Sequence, residues 1–238
     1  MPQSKAPQPA GTRRSVSKSE TLSAQRLAAL RTRLHREPSH DSDHWPLLAI
    51  GASTGGPNAI YALLTQLTVR HCAVLITQHI AAPFLQSFAQ RLTKYSPFHV
   101  DIAQDRAAIL PGHCYLAPGD HHLKVDSHPT RLTCSTRSNG PVNGHCPSVD
   151  VMFQSLAQAN GRRTVGVLLT GMGKDGAAGL GQLKNAGAVA LVQDEASSAV
   201  WGMPGSAVQL GAYDAVLPLN DLPGAVSTLL TPPTKTPQ

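Results

Sequence analysis

At 238 residues and 25.1 kDa the chain is long enough to bury a sizeable core, which excludes a mini-protein held together by disulfide staples. Aromatic residues make up only 4% and charged ones 14%, against 20 Gly and 19 Pro, so the interior must be built from Ala, Val, Leu and Ile around many tight turns, as in a layered α/β protein. The formal charge of +6 is unevenly placed: residues 1–45 hold eight Lys/Arg against four Asp/Glu, and the basic balance belongs mostly to that arm.

Residues 1–16, rich in Pro, Gln, Ser and Arg, are expected to be disordered. Thr12-Arg13-Arg14-Ser15-Val16 has the outline of a twin-arginine signal, but polar residues follow where a hydrophobic segment is required. Ser17 and Glu20 make a capping-box pattern, after which Leu27, Leu30 and Leu34 line one face of a short helix carrying Arg26, Arg31, Arg33 and Arg36. Such a basic amphipathic helix can pack on the main domain as a connector, dock an acidic partner or touch an anionic surface, and the sequence leaves the three open. Nucleic acid is not an expected partner, because the arm has neither interleaved aromatics nor a recognised DNA-binding motif. Residues 38–45 read as a linker.

From Leu47 the pattern changes. The runs 47–51, 73–77, 99–103, 164–170 and 188–193 are apolar enough to be strands covered on both faces, and helical stretches separate several of them. One helix starts at Pro57 and runs to about Leu67, a second is carried by FLQSFAQRL and a third by VDVMFQSLAQA. Between Gly112 and Ser135, CYLAP, HLKVD and RLTCS lie close together with turn residues between them, which predicts antiparallel hairpins. The expected fold is therefore α/β: a mostly parallel, doubly wound, Rossmann-like sheet with an appended antiparallel hairpin region. The expected division is a basic arm over 1–45, a folded domain over 46–225 and a tail over 226–238. No apolar run approaches the roughly 18 residues of a membrane span, so no membrane insertion is expected. Cys72, Cys114, Cys134 and Cys146 form no CxxC pair and read as reduced thiols of a cytoplasmic protein.

Two loops carry candidate chemistry. Gly51-Ala52-Ser53-Thr54-Gly55 is a G-x-S-x-G turn between a strand and a helix, which would lift the Ser53 hydroxyl out at the strand's C-terminal edge. His79 ends the next apolar run, where neighbouring parallel strands would open on the same edge, so it is the candidate base. Gly171-Met172-Gly173-Lys174-Asp175-Gly176 also follows a strand and admits two readings. As a GxGxxG fingerprint, with Asp194 at the end of the next strand, it would bind a dinucleotide. As part of a hydrolase, Asp175 would hold the imidazole of His79 while the glycines expose backbone N–H groups to an oxyanion. His113, Cys114, His121, His122, His128, Cys134, His145 and Cys146 are dense but lack HExxH or Cys-pair spacing, so no metal is expected.

Taken together and in this order, AIGASTGGP (49–57), TQHI with FLQSFAQRL, LPGHCYLAPGDHHL (110–123), PVNGHCPSVDVMF (141–153), VLLTGMGKDGAAGL (167–180) and QDEASSAVWGMPGSA (193–207) resemble the catalytic domain of the chemotaxis protein-glutamate methylesterase family, the CheB type. The resemblance runs from about Leu48 to Leu222. It implies a Ser, His, Asp triad at Ser53, His79 and Asp175, with Thr54 flanking the nucleophile near the histidine and the N–H of Met172 helping to bind the oxyanion. It further implies hydrolysis of γ-glutamyl methyl esters on the cytoplasmic helices of methylated chemoreceptors, release of methanol, deamidation of receptor glutamines and no cofactor.

The sequence also departs from the family pattern. Ile80-Ala81 stands where Met-Pro is common, and Trp201 where a smaller side chain is frequent. Members usually carry an N-terminal receiver domain, for which residues 1–45 are too few, so the expected enzyme is unregulated, regulated by a separate protein or directed by its basic helix, and the sequence leaves the three open. The rival expectation is a dinucleotide-binding domain or non-catalytic sensory scaffold that uses Gly171–Gly176.

Overall fold

The computed structural model describes residues 22–35, 45–128, 131–160 and 163–232. The Ser17–Glu20 capping pattern and the expected disorder over 1–16 lie outside these residues. Nine strands and seven helices are described: α1 (Ala24–Leu34), β1 (Leu47–Ala52), α2 (Gly56–Thr65), β2 (Ala73–Gln78), α3 (Ala82–Tyr95), β3 (His99–Ile102), β4 (His113–Leu116), β5 (His122–His128), β6 (Arg131–Arg137), α4 (Val149–Asn160), β7 (Thr164–Leu168), α5 (Ala177–Asn185), β8 (Val189–Gln193), α6 (Met203–Gln209), β9 (Ala215–Leu217) and α7 (Leu222–Leu230).

Seven strands form one parallel sheet in the order β3-β4-β2-β1-β7-β8-β9, and β5 and β6 pair antiparallel as a separate two-stranded sheet. Because side chains alternate across a strand, β1 divides its apolar run between two cores: Leu48 and Ile50 face α2, α3 and α7, whereas Leu47 and Ala49 face the α4, α5 and hairpin side. Gly166 lets α5 come close to β7, since a Cβ there would lie 2.8 Å from Leu180 Cδ1. The chain leaves β1 toward β2 on one side, while β7, on the other side of β1, leads away to β8. The loops after β1 and β7 therefore part from each other and open a crevice at the C-terminal edge of the sheet, the switch point at which α/β folds bind ligands.

Three expectations need correction. CYLAP is not a hairpin strand: it supplies β4, parallel to both β2 and β3. Cys114 and Leu116 enter one core and Tyr115 the other, so this short run satisfies both faces of a covered strand. Residues 99–103 were expected to be covered on both faces, but β3 is an edge strand whose His99 and Asp101 are exposed and paired at 3.1 Å. The expected domain boundary at 225 falls inside α7, whose Val226, Leu229 and Leu230 are buried.

Helix α1 starts at Ser23, whose hydroxyl accepts from the Arg26 N–H, and it packs on α7 with Leu30 and Leu34 buried. Its arginines serve the domain itself. Arg33 forks onto Asp214 (3.0 and 2.6 Å) and reaches Ala188 O, while Arg31 donates to the carbonyls of Thr231 and Pro232 beyond the end of α7. Of the three uses left open for this helix, packing on the domain is the one the structure contains. No helix among the described residues is long and apolar enough to cross a membrane. Leu34 is 1% exposed within the core, so Leu34→Ala should lower the unfolding free energy by about 3 kcal/mol in urea denaturation. A loss below about 0.5 kcal/mol would mean that α1 does not belong to the cooperative unit.

Candidate active site

Beyond β1 the backbone turns sharply. Ser53 N–H donates to Thr170 O (3.0 Å), Gly56 N–H returns to Ser53 O (2.8 Å), and Gly55 takes φ +79° as the N-cap of α2. Ser53 is half-buried and Thr54 exposed. Gly171 lies flush against the serine, since a Cβ on residue 171 would stand 2.8 Å from Ser53 Cβ. Met172 follows, with its side chain 71% exposed. Thr54 is tied on the same side, its carbonyl accepting the Thr170 hydroxyl at 2.9 Å.

On the other side of β1, His79 N–H donates to Ala52 O (3.1 Å) and extends the β1–β2 ladder by one rung, to the residue before Ser53. The His79 ring lies 3.0 Å through Nε2 from Asp175 Oδ2. A carboxylate only accepts, so Nε2 carries the proton and Nδ1 is the basic nitrogen. Nδ1 is buried and has no hydrogen-bond partner. The structure thus joins His79 directly to Asp175 and sets Ser53 at the strand end next to His79, with no hydrogen bond between Ser53 and His79 among the described residues. One face of the His79 ring is covered by His145, stacked at 3.8 Å and 11°. Burial, with His79 adding to it, lowers the His145 pKa.

Asp175 is 1% exposed. Besides His79, it accepts from the Ser148 hydroxyl (2.7 Å), the N–H of Val149 (2.7 Å) and Asp150 (3.3 Å), and Asn143 Nδ2 (3.1 Å). Burial pushes its carboxyl up, but the hydrogen bonds from His79, Ser148, Val149 and Asn143 outweigh that effect and hold it at about 2. Asn143 Nδ2 also bonds Asp150 Oδ2 at 2.6 Å, so one amide bridges two carboxylates. Asp150 caps α5 by accepting from Gly179 N–H at 2.6 Å; burial and then the charge of Asp175 raise its pKa. The bridge depends on a two-residue turn: Asn143 (φ +53°) and Gly144 (φ +79°) are both left-handed, and Val142 and His145 exchange backbone bonds at 3.0 Å. Buried His122 braces this loop, donating through Nε2 to Gly140 O and accepting Ser148 N–H at Nδ1.

Gln78, Asn143, Ser148 and Asp150 were not singled out in the sequence, and His145 only as part of the His/Cys-dense region considered for a metal. Asn143-Gly144 does signal a tight turn, and a serine ahead of α4 signals a cap, but neither signal says that the turn closes on a carboxylate about thirty residues later. Of the three glycines in the dinucleotide reading of the 171–176 loop, Gly173 is open, but the first and third are occupied by the protein itself. Gly176 is closed by Val149, 2.5 Å from a built Cβ, and Gly171 by Met203 and Ser53. Asp194 accepts from the N–H and hydroxyl of Ser197 and closes its own turn. Among the described residues no group of three or more His, Cys, Asp or Glu could hold a metal ion.

A family model described as CheB methylesterase matches residues 48–226. The chain is 48% identical over 194 residues to a protein-glutamate methylesterase/protein-glutamine glutaminase of Hydrogenovibrio crunogenus, covering 82% of this chain and 50% of that protein. It is 51% identical over 193 residues to one from Bordetella avium, covering 81% and 54%. The chain spans about half the length of these relatives. A crystal structure of the Thermotoga maritima CheB methylesterase catalytic domain superposes with a TM-score of 0.74 at 31% identity, covering 79% of this chain and 98% of that one.

A carboxyl held near 2, against an ordinary 3.8, contributes stability above the ordinary value and loses it as the pH falls through the depressed one. Between about pH 4 and about pH 2 the wild type should therefore lose roughly 2 kcal/mol more than Asp175→Asn, compared by urea denaturation. Parallel losses in the two proteins would show that the carboxylate is not held in this way.

Proposed function

Because the chain belongs to the CheB methylesterase family, we propose that it is a cytoplasmic serine hydrolase that removes methyl groups from glutamate γ-methyl esters on chemoreceptor helices, and that it also deamidates receptor glutamines. The observation that carries this reading is the ring of His79: Asp175 holds Nε2, and Nδ1 is left as an unpartnered base at the strand end next to Ser53.

Ser53 Oγ attacks the ester carbonyl carbon and its proton passes to His79 Nδ1. Asp175 stays ionised and stabilises the imidazolium. The tetrahedral oxyanion forms beside the 171–176 loop, where the N–H of Met172 is the assigned donor; it belongs to the residue after the glycine that abuts Ser53. The carbon–oxygen bond to the methoxy group breaks, the leaving oxygen takes the proton from Nδ1, and methanol departs. Water then gives a proton to Nδ1 and its oxygen to the acyl carbon, which releases the glutamate carboxylate and restores Ser53. With a glutamine substrate, ammonia leaves in place of methanol and the same acyl-enzyme follows. No cofactor enters either sequence.

Ser53→Ala should reduce methanol release from a methylated receptor fragment by about a thousandfold or more without changing the unfolding midpoint. Methanol release that survives the substitution would remove the nucleophile from this scheme. A thermal shift induced by NAD at millimolar concentration and unchanged in Ser53→Ala would favour the dinucleotide reading instead.

A further inference from the structure

We propose that Gln78 is a positioning residue for this reaction: its side-chain amide straps the main chain of Ser53 to the main chain of His79 and so sets the separation of nucleophile and base. The inference rests on the triad reading of the preceding subsection.

The ladder cannot do this work. Its last rung is His79 N–H to Ala52 O. Beyond it the strands part, because Ser53 O is turned back onto Gly56 N–H at the start of α2 while the chain after His79 leaves toward α3. Gln78, at the end of β2 and 4% exposed, spans the gap from within. Its Nε2 donates to Ser53 O at 2.9 Å and to His79 O at 2.9 Å, one proton to each carbonyl. The orientation of the amide follows from its partners, since a flipped group would set Oε1 against two carbonyl oxygens.

Oε1 is buried and has no partner. It is enclosed by the turn, because a Cβ on Gly56 would come within 1.9 Å of it. An unpaired buried amide oxygen is a standing cost that an apolar side chain of the same volume would avoid. What glutamine supplies, and such a side chain cannot, is two donors on one atom directed at both carbonyls. Ser53 is then gripped from both sides, by Thr170 on the β7 side and Gln78 on the β2 side. His79 is fixed at its ring by Asp175 and at its backbone by Gln78.

The test compares Gln78→Met, which keeps the volume and removes both donors, with Gln78→Glu, which keeps the shape and turns acceptors toward the carbonyls. Methanol release from a methylated receptor peptide gives kcat and KM, while a fluorophosphonate probe gives the rate and final stoichiometry of Ser53 labelling. In Gln78→Met, kcat and the labelling rate should fall about ten- to a hundredfold, because sub-ångström to ångström misplacement of reacting groups carries penalties of this size. KM should stay within about twofold. Labelling should still approach one probe per chain, showing that the sites are folded and only misaligned, and Gln78→Glu should not rescue. Wild-type kcat and labelling rate in Gln78→Met would overturn the strap and leave the triad standing. A kcat loss matched by an equal loss of labelling stoichiometry would also overturn it, as the signature of a purely structural residue. A wild-type protein that is not labelled at Ser53 would overturn the triad and the strap together.

Discussion

A carboxylate that has lost its water stays ionised only where donors replace that water, and at Asp175 they arrive from separate parts of the chain. The ring of His79 comes from the end of β2, an amide from the 143–144 turn, and a hydroxyl and two backbone N–H groups from the start of α4. One buried charge thereby ties the β2 edge, the 140–148 loop and the N-terminus of α4 to the loop after β7. Without those donors the group would be neutral, and the imidazole would lose both the charge that favours its protonation and the partner that fixes its tautomer. Asp150 is the accessory to this arrangement: it shares Asn143 with Asp175 and holds the first turn of α5, so the loop carrying Asp175 is pinned at its exit.

The glycines of the site serve close approach within the protein. Gly171 makes room for Ser53 and Met203, Gly176 for Val149, and Gly55 for Ala199. A dinucleotide fingerprint uses the same residue type so that a phosphate can reach the backbone, and spacing alone cannot separate the two uses. Here Gly171 and Gly176 are closed by side chains of α4, α6 and the Ser53 turn, and of the three glycines of the pattern Gly173 alone is open.

Legibility from the sequence followed the range of the interactions. The runs 47–51, 73–77, 164–170 and 188–193 show their class locally, since both faces of each strand are covered and the apolar residues are contiguous. β4 was misassigned because four residues carry no sign of which partner they take, and that choice was made by the long connection from β3, which returns it parallel. The domain boundary at 225 missed the rest of α7 because its buried face, Val226 to Leu230, packs with α1, some two hundred residues earlier. Ser53 and His79 stand out in the sequence as strand-end residues, and Asp175 as a carboxylate in the loop after β7, by residue type and position alone. Gln78 and Asn143 were not, because an amide's role depends on which carbonyls or carboxylates it faces.

The seam that holds the site joins β1 to β7, pairing Leu47 with Thr164 and Gly51 with Leu168. More than a hundred residues separate the two strands, so closing this seam carries the loop entropy of most of the domain, and local structure cannot prepare it in advance. During synthesis the Ser53 turn and the His79 strand end can pair as soon as β2 has emerged, but the carboxylate arrives only with the second half of the chain. The nascent protein therefore holds an exposed serine and an unsupported imidazole through much of its elongation. The proposed site is complete only once β7 has docked against β1 and the charge of Asp175 is enclosed.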